Sequence, residues 1–298
     1  MIKKLILWIM VVSFGSSCMW YLSEKSMDTE RQFFKDLIIE NNQHLALLTT
    51  RHLVNKFSEI KSQLVGLSSQ IIKENSNNKK LSNLFRFQYQ NHPYVEALRF
   101  YSFEKSRDMI EFHNINSKVQ KTFFFKAIED KTKLKRSFYT PVYFIKNEPV
   151  ISRIQLVKNL RKKTFIGVIE ARISINNLLG AKEIQSQSFK GEILLLSQAG
   201  KVLLPVEKGW EFQKSDYQSL NKSFSGGFER LNAGLVELIS FASTKQLAPK
   251  ELPPLKVLMI EGDKRVENFA SRSKFNILII FLVGVLCLSY LSKILIYR

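Results

Sequence analysis

Hydrophobic residues recur at helical spacing through the first quarter of the chain. From Ser26 to about Glu74 the pattern predicts one long helix, and a stripe of six apolar residues marks its second half. The stripe is spaced 4-3-4-3-4 and comprises Leu53, Phe57, Ile60, Leu64, Leu67 and Ile71. A helix of this length extends about 70 Å at about 1.5 Å per residue. Two uses of the stripe are open at this point: packing on a sheet, or pairing with a second copy in a homodimer.

Alternation of apolar and polar residues predicts two long strands in the middle of the chain. They cover residues 150–157 and 164–175, and the polar residues 158–163 connect them as a hairpin. A turn at 147–149 precedes the first strand, because a proline disfavours helical backbone in the residue before it. Val150, Ile154 and Leu156 are predicted to share one face of the first strand, and Phe165, Gly167, Ile169, Ala171 and Ile173 one face of the second.

Shorter elements surround this central pair. Before it, the sequence predicts a helix over 81–90, strands over 94–103 and 109–113, and a helix over 118–130. After it, a smaller unit over 188–262 contains predicted strands at 191–197, 201–204, 235–243 and 255–261. Long helix and alternating strands together indicate an α+β fold.

Two apolar segments flank these elements. Residues 5–22 and 275–292 are each long enough to cross a bilayer as a helix. Lysines in the segment 1–4 favour a cytoplasmic N terminus, so residues 293–298 are also expected in the cytoplasm, and residues from about 25 to 273 outside it. The segment 263–274 would connect the last strand to the second membrane helix. We therefore predict a two-span protein of a bacterial inner membrane; a cleaved signal peptide or a lipoprotein signal fits residues 5–22 less well.

The net charge of +19 changes the expected partners more than the expected fold. Residues 27–272 alone hold 39 basic and 25 acidic side chains, a net +14. Such a surface attracts anions whatever its fold. The basic residues are scattered and the domain is predicted to be extracytoplasmic, so we expect no nucleic-acid partner.

The sequence offers little that resembles catalytic or metal-binding chemistry. Cys18 and Cys287 both lie in apolar segments, which leaves no disulfide framework or paired-cysteine metal motif. The four histidines lack the spacing of metal ligands. No nucleophile elbow, P-loop or kinase signature is present. We therefore predict that the protein is not an enzyme, and we predict no cofactor and no metal.

The central strands carry a pattern that resembles a known family. The run Gly167-Val168-Ile169-Glu170-Ala171-Arg172-Ile173-Ser174-Ile175, followed by Leu178 and Leu179, is similar to a phrase of the double Cache (PAS-like) extracytoplasmic sensor domains. This resemblance implies a long N-terminal helix over 26–74, a membrane-distal Cache module over 75–187 and a membrane-proximal module over 188–262. Two antiparallel-sheet modules flanked by two transmembrane helices are therefore expected.

The same resemblance locates a candidate ligand site. Family members that bind amino acids often carry an Arg-x-Trp-Tyr-x-x-Ala motif, a later tyrosine, and an aspartate that holds the ligand's ammonium group. At these places the chain has Lys121, Phe123 and Phe124, then Tyr139, and Arg172 in the position of the aspartate. Arginine would repel an ammonium group, so we expect the amino-acid site to be lost. Either Lys121 and Arg172 favour a small anionic ligand such as a carboxylate, or Lys121 is solvated, Arg172 faces outward and phenylalanines close the pocket.

Two functions follow as hypotheses. The first is a membrane sensor that changes the relative position of its membrane helices on binding a ligand. Because the chain stops at Arg298, it would rely on a protein partner for its output. The second is a membrane-tethered scaffold whose basic outer face binds an anionic envelope polymer or an acidic protein. That face comprises Lys131, Lys133, Lys135, Arg136, Arg161, Lys162 and Lys163.

Overall fold

The computed structural model of the chain describes most of its residues. The described residues are 2–74, 78–103, 109–113, 136–159, 164–179, 189, 191–204, 210–232, 235–247 and 251–262, with 266, 275, 279, 281–287, 289–291 and 293–294 toward the C terminus. They include the helices α1 (Ile2–Glu74), α2 (Asn78–Gln90), α3 (Ile175–Leu179) and α4 (Lys214–Lys222), with a 3-10 turn at Thr244–Gln246. The described residues from 266 to 294 are also helical.

The strands form two sheets. The first contains β1 (Val95–Ser102), β2 (Met109–His113), β3 (Phe138–Tyr139), β4 (Tyr143–Ile145), β5 (Glu148–Asn159) and β6 (Thr164–Ser174). Its order is β2-β1-β6-β5-β3, β4 also pairs with β5, and all of these pairs are antiparallel. The second contains β7 (Glu192–Ser197), β8 (Val202–Leu204), β9 (Ser225–Asn232), β10 (Leu235–Ser243) and β11 (Leu255–Gly262), in the order β8-β7-β11-β10-β9. The α+β fold with a long N-terminal helix and two sheets is therefore confirmed.

Helix α1 is a single element of 73 residues, which includes the first apolar segment as well as the predicted helix 26–74. At about 1.5 Å per residue it is about 110 Å long. Among the described residues, no helix combines the length and the apolar character needed to cross a membrane.

The apolar stripe of α1 packs in the protein core. All six of its side chains are at most 4% exposed, and they share one core with residues of both sheets, including β1, β5 and β6 of the first. Each such burial contributes about 1.5–3 kcal/mol to stability. The prediction of a homodimer through Leu53, Phe57, Ile60, Leu64, Leu67 and Ile71 is therefore corrected, because this core already covers these side chains.

The two faces of the sheet follow from the alternation predicted for β6. Ile169, Ala171 and Ile173 belong to the core beneath α1, whereas Val168 packs with Ile154 and Leu156 on the opposite face. A β-bulge changes one assignment: Gly167 pairs with Val157 but Phe165 pairs with the next residue, Lys158. Because neighbouring strand residues face opposite sides, Phe165 does not share the face of Gly167 as predicted.

A two-residue turn sets the register of the hairpin between β4 and β5. Lys146 and Asn147 have positive φ angles of 48° and 66°, as a type I′ turn requires. Ile145 pairs with Glu148 across this turn. The turn therefore begins one residue earlier than predicted, and Glu148 already belongs to β5.

The chain divides into two compact units. One combines Met1–Asn41, Gly227–Ile239 and Glu261–Arg298, and the other combines Asn42–Gly226 and Ser240–Ile260. In the first unit, the rings of Trp20 and Phe281 meet edge to face with centroids 6.1 Å apart. The second unit contains the whole of the first sheet. The module boundary between residues 187 and 188 stays a prediction.

Candidate functional site

The face of the first sheet opposite α1 carries a row of buried polar side chains. Antiparallel register places Arg99 of β1 opposite Glu111 of β2 on one side and Glu170 of β6 on the other. Ser152 of β5 lies opposite Arg172 of β6. Because alternation puts every second residue of a strand on the same face, these five side chains share it.

Arg99 pairs with two carboxylates within this row through two of its three guanidinium nitrogens. Its Nε atom donates to Glu111, and its Nη1 atom donates to Glu170 at 3.1 Å. Arg99 and Glu170 are both completely buried. Two carboxylates therefore surround one guanidinium, and the arrangement holds three strands together.

A chain of hydroxyl groups uses the second oxygen of Glu170. Ser152 donates to Glu170 Oε1 at 2.6 Å, and its Oγ lies 2.7 Å from the hydroxyl of Tyr143. A serine has a single hydroxyl proton, so Tyr143 is the donor in the second bond. Both oxygens of Glu170 and the proton of Tyr143 are thus already engaged.

Arg172 lies in the same row but outside this network. It is completely buried. None of its three guanidinium nitrogens has a hydrogen-bond acceptor among the residues that the structure describes. Tyr143 and Glu96 lie near enough to interact with its charge, and Tyr143 also lies within reach of a hydrogen bond from Arg172 that the present geometry does not complete. A buried cation without a hydrogen-bonded partner carries a large desolvation cost.

The groups next to Arg172 titrate abnormally. Burial raises the pKa of the Tyr143 hydroxyl, and the Glu170 carboxylate acts in the same direction, whereas Ser152 and Arg172 oppose it. Burial also raises the pKa of Glu96 to about 7, with Glu148 adding to the effect and Arg172 opposing it. Perturbed titration in a buried polar cluster is typical of functional sites.

Tyr139, the tyrosine predicted for the ligand site, lies on the other face of the sheet. It pairs with Arg153, donates its hydroxyl proton to the backbone oxygen of Phe57 in α1 at 2.6 Å, and packs edge to face on the Phe57 ring. The guanidinium of Arg153 stacks over its ring at 4.8 Å and pairs with Glu251 at 2.5 Å. The structure therefore brings Tyr139 together with α1 and not with Arg172.

Tyr143 occupies the place beside Arg172 that the sequence prediction gave to Tyr139. Tyr143 pairs with Val150 of β5, which has the same parity as Ser152. The turn could have indicated this in the sequence. The two turn residues Lys146 and Asn147 fix the pairing of β4 with β5, and this register gives the face on which Tyr143 lies. Lys121, Phe123 and Phe124 lie outside the described residues, as do all residues of the predicted basic face except the exposed Arg136.

No group of three or more His, Cys, Asp or Glu side chains suited to a metal occurs within the part of the chain that the structure describes. A small opening between α1, α2 and β1 is lined by apolar side chains together with Gln63, Gln88 and His92. Its lining includes Ala171, on the α1 face of the sheet, so it is separate from the Arg172 row.

Comparison with solved structures identifies the fold. The ligand-binding domain of the Pseudomonas aeruginosa amino acid chemoreceptor PctB, solved with L-arginine, is 15% identical, with a TM-score of 0.54 over 76% of this chain and 96% of that domain. The sensory domain of the Campylobacter jejuni chemoreceptor Tlp3, solved with isoleucine, is 12% identical, with a TM-score of 0.56 over 80% of this chain and 97% of that domain. The domain of the P. aeruginosa chemoreceptor PctC, solved with GABA, is 14% identical, with a TM-score of 0.53 over 75% of this chain and 99% of that domain.

These neighbours are sensory domains with a Cache, PAS-like fold, and they are not enzymes. The sequence resemblance to the double Cache family is thereby confirmed at the level of fold. No model of a protein family matches the chain, and no curated protein matches it. At 12–15% identity the likeness concerns the fold, so function has to be argued from the site.

Proposed function

We propose that this chain is a receptor-like sensor of a bacterial inner membrane, whose extracytoplasmic double Cache domain binds a small anionic ligand through Arg172 and signals through a protein partner. The observation that carries the proposal is the complete burial of Arg172 without a hydrogen-bond acceptor among the described residues. The Cache fold supports the sensor class, because all three neighbours described above are sensory or ligand-binding domains of chemoreceptors.

The charge around Arg172 favours an anion supplied from outside the chain. Glu111 and Glu170 are engaged by Arg99, and the second oxygen of Glu170 is engaged by Ser152. The negative charges of Glu111 and Glu170 are therefore balanced in part by Arg99 and not by Arg172 alone. A ligand carboxylate would give the buried guanidinium the two parallel hydrogen bonds that suit its planar fork.

The buried guanidinium of Arg172 also bears on which ligands the site can accept. An ammonium group at Arg172 would meet a like charge in a desolvated environment, which is strongly unfavourable. We therefore propose carboxylates without an ammonium group as the ligand class. The segment containing Lys121, Phe123 and Phe124 is proposed to contribute further contacts, on the strength of the family resemblance alone.

The test is a binding screen with the full chain purified in mild detergent. The panel contains formate, acetate, lactate, pyruvate, succinate and benzoate, with L-isoleucine and GABA as ammonium-bearing comparisons. A ligand of the native state raises the unfolding temperature by mass action. We expect at least one plain carboxylate to do so, and we expect Arg172→Met to remove the effect.

Tyr139→Phe serves as the matched control, because Tyr139 lies on the opposite face of the sheet. It should retain carboxylate binding even if the protein becomes less stable. Carboxylate binding that survives in Arg172→Met, or the absence of binding by any carboxylate of the panel, would contradict the proposal.

The membrane location is proposed from the sequence, since residues 5–22 and 275–292 are apolar and Lys3 and Lys4 precede the first segment. A test uses Arg136→Cys, an exposed position, in a background with both native cysteines replaced by serine. A membrane-impermeant maleimide should label this cysteine in intact spheroplasts, whereas a cysteine at Lys3 should react only after permeabilisation. The reverse labelling pattern would refute the proposed topology.

A further inference from the structure

Glu96 approaches Arg172 through a β-bulge in β1. Val95 pairs with Ile173 and Ala97 pairs with Arg172, which leaves Glu96 as the extra residue of the bulge. Its hydrogen bond with Ser174, which has the parity of Arg172 in β6, brings its carboxyl group to the Arg172 face of the sheet. Bulges commonly redirect a side chain next to a functional site.

Glu148 reaches the same place from the other side of β6. It is the first residue of β5, two positions before Val150, the partner of Ser174. It therefore has the parity of the Arg172 face. Ser174 itself accepts a hydrogen bond from the backbone N–H of Asn177 at the start of α3. Glu148 is exposed, and its carboxyl group shares a hydrogen bond with that of Glu96, the carboxyl group that interacts with Arg172.

The hydroxyl protons of this cluster are already used in hydrogen bonds within it. The Tyr143 proton is committed to Ser152, and the Ser152 proton to Glu170. An ionised Glu96 has no proton to donate and would repel an anion at Arg172. A protonated Glu96 carries no charge, keeps its proton in the hydrogen bond with Glu148 and leaves the charge of Arg172 available to the anion.

Glu96 changes between its ionised and protonated forms near neutral pH. Burial raises its pKa to about 7, and Glu148 acts in the same direction. The groups that interact with Glu96 come from three other elements: Arg172 and Ser174 of β6, Glu148 of β5, and Tyr89 of α2. Burial raises the pKa of Tyr89, and also that of Tyr143 next to Arg172, so both hydroxyls stay protonated at neutral pH.

We infer that Glu96 determines the affinity of the proposed anion site by binding one proton together with the anion. This inference rests on the proposed function, because it concerns the same site. The sensor would therefore respond to a carboxylate and to acidity jointly, with tighter binding on the acidic side.

The size of the effect follows from linkage. If only the protonated form of Glu96 accepts the anion, a pKa of about 7 makes binding about tenfold tighter at pH 6 than at pH 8. The monocarboxylates of the panel have pKa values well below 6 and remain ionised throughout that range. The change in affinity with pH then arises from titration of the protein and not of the ligand. At pH 7, about half a proton should be taken up per anion bound.

The experiment measures the affinity of the full chain at pH 6, 7 and 8 for the carboxylate of the screening panel that binds best. Glu96→Gln should bind with similar affinity at all three values, because the amide keeps a donor and carries no charge. Glu251→Gln is the matched control, since Glu251 pairs with Arg153 on the opposite face, and it should retain the tenfold dependence. Titration calorimetry of the unmodified chain at pH 7, in buffers of different ionisation enthalpy, counts the protons without any variant.

The outcomes separate the two claims. If no carboxylate binds at any pH, the proposed function fails and the inference fails with it. If a carboxylate binds through Arg172 with equal affinity at pH 6 and pH 8, or without proton uptake at pH 7, only the inference is overturned. Retention of the tenfold dependence in a folded Glu96→Gln variant also overturns it.

Discussion

Replacing Arg172 with methionine should stabilise the ligand-free protein. Arg172 is completely buried and has no hydrogen-bond acceptor among the described residues, so its charge is desolvated without compensation there. Methionine keeps most of the aliphatic stem and removes the charge. A buried charged group costs several kcal/mol after relaxation, and its replacement by an apolar side chain commonly gains about 1–4 kcal/mol. We expect a gain of about 1–3 kcal/mol, because the nearby Glu96 already compensates part of the charge when it is ionised.

Arg99 provides a matched control in the neighbouring strand. It is equally buried, but it pairs with Glu111 and with the buried Glu170. Arg99→Met would leave Glu170 without its cation, and breaking a buried pair in this way costs about 3–5 kcal/mol. Two identical substitutions, one strand apart on one face, are thus expected to shift stability in opposite directions.

Thermal unfolding of the full chain in detergent, followed by circular dichroism, measures both effects. For a domain of this size, 1 kcal/mol corresponds to about 2–4 °C in Tm. Arg172→Met should therefore raise Tm by several degrees, and Arg99→Met should lower it by at least as much. If Arg172→Met destabilises the protein as strongly as Arg99→Met does, Arg172 is a structural ion-pair residue and the ligand argument is refuted.

Three further predictions concern the framework around the site. Gly167→Ala should destabilise the protein by about 1–3 kcal/mol, because an added Cβ would lie 2.5 Å from a backbone oxygen of β1. Gly66→Ala, with open space around it in α1, should instead stabilise it by about 0.5–1 kcal/mol; urea unfolding of both variants compares the signs. Tyr139→Phe should cost about 0.5–1.5 kcal/mol through the lost hydrogen bond to α1, measured in the same way, and an unchanged stability would contradict that role. Burial alone would raise the pKa of Glu251, but Arg153 and a lysine of α1 outweigh burial and lower this pKa. The ionised carboxylate therefore stabilises the protein at pH values above the ordinary pKa of a glutamate. This contribution disappears as the pH falls through the lowered pKa. Between pH 3 and pH 6, the free energy of unfolding should accordingly change less with pH for Glu251→Gln than for the unmodified chain.

The elements of the fold were accessible to sequence reasoning wherever a periodic pattern extended over several turns or strand residues. The stripe of α1 and the alternation in β5 and β6 predicted a long helix and two paired strands, and the structure contains them. Irregularities were not accessible in the same way. The bulge beside Phe165 changes its face, and the turn between β4 and β5 begins one residue earlier than predicted. Both depend on pairing with a neighbouring strand, which local pattern does not encode.

The candidate site illustrates why register decides chemistry in a sheet. Tyr139 and Tyr143 are four residues apart, and on one uninterrupted strand they would share a face. They lie on two separate short strands, β3 and β4, each of which pairs independently with β5. That interruption places Tyr139 beneath α1 and Tyr143 beside Arg172. A motif aligned by residue order alone therefore selects a tyrosine that packs on α1, whereas counting from the two-residue turn at 146–147 selects the one next to the buried charge.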